Sequence, residues 1–246
     1  MKRMLRRLKN GNIGLFGVTL KWNLQRTKPS GRSFNPSPFE LPYRIHLGPG
    51  PNWTKPNNHW INVDIDPKWG DMVVDFQNFQ GFPLKSDTTA CIYGSHVFEH
   101  MSTWVADIVF SECYRVLQPG GVLRLILPDA EKSIREYLAG NQDFPLFRRR
   151  RERAKARYNL EYTLFDCLRE DFLSRAAQTA LLGQNALAHQ NAWDFASISS
   201  DLRRAGFSKI HRCDFKQSTC DYFGFEGSYE CEALQNDRSL YVEAVK

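Results

Sequence analysis

Residues 45–66 read IHLGPGPNWTKPNNHWINVDID, and their reading decides the fold. An apolar strand runs into Gly48-Pro49-Gly50, and a second apolar run ends on Asp64. A glycine turn after one strand and an acid at the end of the next is how an open α/β sheet holds a nucleotide-like ligand beyond its strand ends. Such a sheet normally places a helix between the two strands. Here that interval carries Pro51, Pro56 and the pair Asn57-Asn58. Proline removes a backbone donor and clashes with the preceding turn, so no helix is expected over 51–59.

The missing helix discriminates among ligands. A pyrophosphate is held largely by a helix N-terminus, through its dipole and free N–H groups. The third glycine of a G-x-G-x-x-G run would also fall on Trp53. A dinucleotide is therefore disfavoured. A ligand with a ribose and a base but no phosphate loses far less, and Asp64 can accept hydrogen bonds from ribose hydroxyls. Asp66 competes one pleat away, with Pro67 behind it fitting a turn.

Outward from this stretch, β-rich runs alternate with helical ones. Strands are expected at 44–47, 60–64, 72–74, 90–94 and 122–127, and helices at 98–117 and 129–138. A helix over 194–205 stops at Gly206, and strands at 209–214 and 239–245 complete the pattern. The alternation predicts an α/β fold, a Rossmann-like doubly wound, mostly parallel sheet with one antiparallel strand. Between about 141 and 191 the sequence turns long, charged and helical, which reads as a lid inserted over the C-terminal edge of the sheet. The Pro- and Ser-rich stretch 27–42 reads as linker, so residues 1–42 form a basic arm and residues 43–246 the domain.

The chain of 246 residues has a net charge of +6, yet residues 1–39 hold nine Lys or Arg and no acid, leaving the rest mildly acidic. A second basic cluster is RRRRERAKAR at 148–157. No apolar run approaches the roughly 20 residues of a bilayer span. The six cysteines form no CxxC pair, which suits free thiols, a reducing compartment and a cytoplasmic location. Contact of residues 1–32 and 148–157 with an anionic membrane surface or another polyanion is the functional reading of the basic clusters, and nucleic acid stays open. A solvated helix face is the plainer one for 148–157. The aromatics Tyr158, Tyr162 and Phe165 follow that cluster and do not interleave with it, unlike a base-stacking surface.

LGPG, WINVDIDP, DFQNFQGFPLKSDTTACIYGSHVFEHM and ECYRVLQPGGVLRLILPD, in this order, resemble the class I S-adenosylmethionine-dependent methyltransferases. The likeness covers roughly residues 43–138 and 189–246, and is closest to members reading LGxG…WxNVD…SSHVLEH…RVLKPGG. It implies S-adenosylmethionine as cofactor, a molecule with ribose and adenine but no phosphate. It also implies a cofactor set of Gly48, Pro49 and Gly50 at the methionine part, Asp64 at the ribose, Asp75 and Phe76 at the adenine, and Ser95 beside the methyl, with Ile65 also in the set. For Asp75 a simple loop cap is the rival reading.

Methyl transfer asks the protein to hold an acceptor atom near the methyl and to take its proton. The sequence SHVFEH at 95–100 follows the fourth strand, where that proton would be taken. His96 is the candidate base, because imidazole titrates near neutrality, and His100 is the second catalytic candidate. A helix starting here would put 96, 99 and 100 on one face, so that a metal held with His189 is conceivable. No metal is expected.

No Asn-Pro-Pro-Tyr run and no Pro-Cys follows the fourth strand, which argues against amino-methylation of bases and C5 chemistry on cytosine. The expected activity is methylation of an oxygen on a small-molecule or glycan-like acceptor. Two rivals are an inactive cofactor-binding adaptor and a nucleic-acid or membrane-surface binder acting through the basic arm.

Overall fold

The structure is a computed structural model and describes residues 10–15, 18–23, 34–173, 189–223 and 236–246. The chain divides into two units, Met1–Ser30 and Gly31–Lys246. In the first, β1 (Asn10–Leu15) and β2 (Val18–Asn23) pair antiparallel, with Asn10 opposite Asn23. The sequence reading anticipated no strands there, although Ile13, Val18, Thr19 and Trp22 are strand-favouring types.

The second unit holds a seven-stranded sheet. Its strands are β3 (Tyr43–Leu47), β4 (Trp60–Asp64), β5 (Met72–Val73), β6 (Thr89–Ser95), β7 (Leu117–Pro128), β8 (Lys209–Cys213) and β9 (Ser239–Val245). They lie in the order β5-β4-β3-β6-β7-β9-β8, all parallel except β9, which runs antiparallel to both neighbours. The expected mostly parallel sheet with one reversed strand is what forms. Central strands buried on both faces must be apolar throughout, and all seven residues of β6, TACIYGS, are buried. The QPGG stretch, expected as a loop between helix and strand, lies within β7, where the register against β6 shifts and Gly120 takes φ +77.

The two faces of the sheet are covered differently. On one, Ile45, Leu47, Ile61, Val63, Leu123, Leu125 and Val242 pack against α1 (Thr103–Val116) and α5 (Phe195–Ala205). α5 ends at Gly206 with φ +117, the left-handed stop that the sequence indicates. On the other face, Trp60, Cys91, Tyr93, Val122 and Tyr241 are met by Trp53, Cys220 and Phe223, which stand on connecting segments. Arg124 and Glu243, both fully buried on that side, pair at 3.0 Å. Both Glu243 oxygens are used, by Arg124, Ser218 and Thr219. Such a pair is tolerated only when its remaining lone pairs are met, as here.

Past β7, α2 (Ala130–Leu138), α3 (Pro145–Tyr158) and α4 (Leu164–Phe172) have a small core of their own around Phe144, Phe147, Cys167 and Leu168. The buried Arg150 is bound to Asp171, tying α3 to α4. Residues 174–188 of the expected lid lie outside the described residues, as does Cys231. Cys91, Cys113, Cys167, Cys213 and Cys220 are free thiols.

His46 on β3 shows what the second face costs. Its ring meets Trp53 edge-on at 4.4 Å and Tyr93 at 4.9 Å. Its Nδ1 is buried with no hydrogen-bond partner among the described residues, and burial pushes its pKa down to about 3. The unfolded chain takes up this proton near pH 6.5, whereas the folded chain refuses it until about pH 3. Stability is therefore full above pH 6.5 and falls with acidification through that window, by up to about 1.4 kcal/mol per pH unit from this group. Urea unfolding at pH 7 and pH 5 measures the slope. His46→Phe is expected to flatten it by one proton, and an unchanged slope would place the proton elsewhere.

Candidate functional site

The chain leaves β3 for β4 and β5 on one side and returns to β6 and β7 on the other, so the order reverses between β3 and β6. Ligands of open α/β sheets bind beyond the strand ends at such a point. Gly48 follows β3, Asp64 ends β4 and Ser95 ends β6. Three predicted residues thus stand at neighbouring strand ends.

After β3 the chain bends through Gly48 (φ +62) and Gly50 (φ +58) and makes one 3₁₀ turn, Gly50–Asn52. Pro49 takes α-like angles, Pro51 sits inside the turn, and Trp53 is already extended. No helix follows, as the prolines require. Trp53 folds inward instead, and its Nε1 donates to Asn62 Oδ1 at 2.9 Å.

Asp64 closes this loop from the side. Its Oδ2 accepts from the Gly50 N–H at 3.3 Å and its Oδ1 from the Asp66 N–H at 2.9 Å. Each oxygen keeps lone-pair capacity beyond one acceptance, so the carboxylate can serve the loop and a ligand together. A Cβ built on Gly50 meets nothing within 4 Å, which leaves open space at the turn. Ile65, next to Asp64, is half exposed.

Gly48 also packs tightly against the protein itself. A Cβ there would lie 2.3 Å from Val97 Cγ2, so the close approach at Gly48 is made by the protein's own side chain. Asp75 behaves as a cap: its backbone and side-chain oxygens accept from Asn78. Phe76 opens the 3₁₀ turn Phe76–Asn78 and packs against Phe79 at 5.6 Å, half-buried. Ser95 is buried at the end of β6.

The turn after β6 departs from expectation. The single helix expected over 98–117 is two pieces, a 3₁₀ turn Phe98–His100 and then α1, separated because Ser102 caps α1 by accepting from the Val105 N–H. His96 is not helical. It sits at φ +52, a left-handed conformation that costs about 1 kcal/mol in a non-glycine residue and that collects at functional sites. Positions 96, 99 and 100 therefore do not share a helical face.

They converge all the same, around Glu99, which is 1% exposed. His96 Nδ1 lies 3.0 Å from Glu99 Oε1, and His96 Nε2 lies 3.0 Å from Ser239 Oγ at the start of β9. Burial pushes the Glu99 carboxyl up, but the His96 hydrogen bond outweighs it and holds the group below the usual carboxylate range. Burial lowers the pKa of His96 despite Glu99. At neutral pH Glu99 is thus an acceptor only, so Nδ1 of a neutral His96 carries the proton and Nε2 accepts from the Ser239 hydroxyl.

His189 arrives from the other side. The backbone N–H groups of Gln190 and Asn191 both donate to Glu99 O, at 2.7 and 3.2 Å, and Gln190 Nε2 donates to His100 O at 3.0 Å. The rings of His100 and His189 are 5.1 Å apart. Arg238, beside Ser239, acts on the same group, and its pKa is pushed down to about 10 by burial and by Arg150, against the pull of Glu99 and Asp171. Ser239 and Arg238 escaped sequence reasoning because Ser239 is 143 residues from His96 and no spacing signals the pairing.

The second basic cluster is partly paired within the fold, with Arg150 buried and Arg149, Arg153 and Lys155 in exposed pairs. Arg149 pairs with Asp237, Arg150 with Asp171, Arg153 with Glu170 and Lys155 with Glu161, while Arg151 donates to Gln142. No described helix is long and apolar enough to cross a membrane.

Among solved structures, the chain is similar to an S-adenosylmethionine-dependent methyltransferase from Mesorhizobium loti, with 14% identity over 85% of this chain and 92% of that one and a TM-score of 0.44. It is also similar to the methyltransferase solved in complex with the Haloferax volcanii Trm112 methyltransferase activator (12% identity, 82% and 81% covered, TM-score 0.44). A third is a SAM-dependent methyltransferase from Archaeoglobus fulgidus (14%, 83% and 86%, TM-score 0.41). Likenesses this distant carry no argument about what the chain does, and the fold rests on the strand order itself. No family model and no curated protein sequence matches the chain.

The Gly48 packing is directly testable by urea unfolding. Gly48→Ala is expected to cost about 1–3 kcal/mol through the clash and the strained φ. Val97→Ala in the same chain should return the clash part only. Equal losses with and without Val97 would mean that the contact does not constrain the loop.

Proposed function

We propose that this chain is an S-adenosylmethionine-dependent methyltransferase that acts on an oxygen of a small-molecule or glycan-like acceptor. The observation that carries the reading is the junction of Gly50 and Asp64 at the switch point of the sheet. It offers open space at a glycine, a carboxylate with acceptor capacity, a half-exposed apolar residue at 65, and no helix N-terminus for a pyrophosphate. Those features fit a ribose-bearing, phosphate-free cofactor. Gly48, Pro49 and Gly50 would form its floor, Asp64 would accept from the ribose hydroxyls, Ile65 and Phe76 would flank the base with Asp75 at its edge, and Ser95 would border the reacting end. When bound, S-adenosylmethionine supplies an already activated methyl group, so the protein's task is positioning and proton removal.

His96 is the base in this reading. Glu99 fixes its tautomer and leaves Nε2 unprotonated, and the strained backbone holds the ring in place. The Ser239 hydroxyl occupies Nε2 and would relay the proton, giving its own to the imidazole as it takes one from the acceptor. The imidazolium so formed lies against an ionised carboxylate. His100 lines the same cluster. The oxygen acceptor rests on the absence of the base-methylating sequence runs, and its glycan-like character on analogy with similar methyltransferases that accompany surface-polysaccharide synthesis. Ser239 on Nε2 also favours a second reading, a cofactor-binding adaptor in which no proton is moved.

Calorimetric titration with S-adenosylmethionine, S-adenosylhomocysteine and NAD tests the cofactor. Micromolar binding of the first two, weakened at least tenfold (about 1.4 kcal/mol) by Asp64→Ala, is expected, with none for NAD. Binding of NAD alone, or indifference to Asp64→Ala, would refute the assignment. Incubation of the binding-competent chain with methyl-labelled cofactor and cell extract then separates the enzyme, which yields a labelled product, from the adaptor, which yields none.

A further inference from the structure

We propose that Glu99, His100 and His189 form a binding site for one divalent first-row transition-metal cation. Each of the three offers one ligand atom, and these atoms all lie within 4.8 Å of one another. The Glu99 carboxylate is divided in its duties. Oε1 is held by His96, whereas Oε2 is buried and has no hydrogen-bond partner among the described residues. A buried carboxylate oxygen without a partner is costly, and a coordinated cation removes that cost.

The surroundings are those of metal ligands. Nδ1 of His189 faces the Asp171 carbonyl at 3.4 Å, which fixes the tautomer and turns Nε2 away from it. Metal-bound imidazoles usually donate their second N–H to a backbone carbonyl or a carboxylate in this way. The Gln190 and Asn191 amides anchor His189's segment on the Glu99 carbonyl, and this holds the donors in register without a helix. Two imidazoles and a carboxylate suit Mn, Fe, Co or Zn, and three protein ligands leave further positions open to water or a substrate oxygen. His96 is not a ligand, because both its nitrogens are engaged, and it orients Glu99 instead.

Arg238 sharpens the test. Its charge reaches Glu99, so it opposes a bound cation. Mn²⁺ is the probe, since it prefers oxygen and nitrogen donors and ignores the chain's thiols. The full chain, stripped with chelator, is titrated with MnCl₂ while free Mn²⁺ is followed by electron paramagnetic resonance. One saturable site is expected, weakened at least about tenfold in Glu99→Gln and His189→Gln and unchanged in His59→Gln, which lies on another part of the sheet edge. Arg238→Gln is expected to bind Mn²⁺ more tightly, an effect that misfolding cannot imitate. Absence of a saturable site, or equal affinity in all four variants, would overturn the assignment. The inference does not depend on methyl transfer, and cofactor titration of the same variants keeps the two separate.

Discussion

The Asp64 carboxylate joins the loop after β3 to the end of β4, one oxygen on the Gly50 amide and the other on the Asp66 amide. In a sheet with a helix after its first strand, that helix would hold the glycine loop in place. Here the prolines forbid it, and a side chain supplies the constraint. The rest of the site follows. Released from a helix, residue 53 can turn its indole onto the sheet, where with His46, Trp60 and Phe223 it covers a face that would otherwise be bare. The space at Gly50 stays open because the chain leaves it after a single turn.

Two buried glutamates show how the same residue type serves structure and chemistry. Glu243 is paired with Arg124, and both of its oxygens are met by neighbouring donors. It is satisfied, and its role is to lock β9, β7 and the 217–219 segment together. Glu99 is equally buried, but only one of its oxygens is met, and its neighbours are three imidazoles and a strained backbone. A polar group left half-satisfied at a sheet's switch point marks a place where a ligand or ion completes the structure.

Most of the sheet was legible because strands buried on both faces must be nearly continuous apolar runs, and 60–64 and 239–245 were read to the residue. Gly206 and Asp194 marked the ends of α5 by well-understood capping. The helix over 98–117 was read as one piece because its apolar spacing continues across Ser102, whose capping role competes with that periodicity. At the site, Gly48, Gly50 and Asp64 were legible from local spacing, whereas the contact of Val97 with Gly48 was not, since it joins two strand ends. The partners of His96 and Glu99 come from β9 and from residues 189–191, and no local pattern encodes such long-range pairings. The arginine run at 148–157 suggested an external partner, and only the fold shows that acids on α4 and at 237 pair with three of its cations.

The account rests on a helix-free loop and one carboxylate holding a ribose. A crystal structure of the chain grown with S-adenosylhomocysteine tests this most directly. The nucleoside is predicted to lie over Gly50 with its two ribose hydroxyls in hydrogen-bond distance of Asp64. A nucleoside seated elsewhere, or an Asp64 still turned wholly to the Gly50 and Asp66 amides with no ligand beside it, would contradict the account.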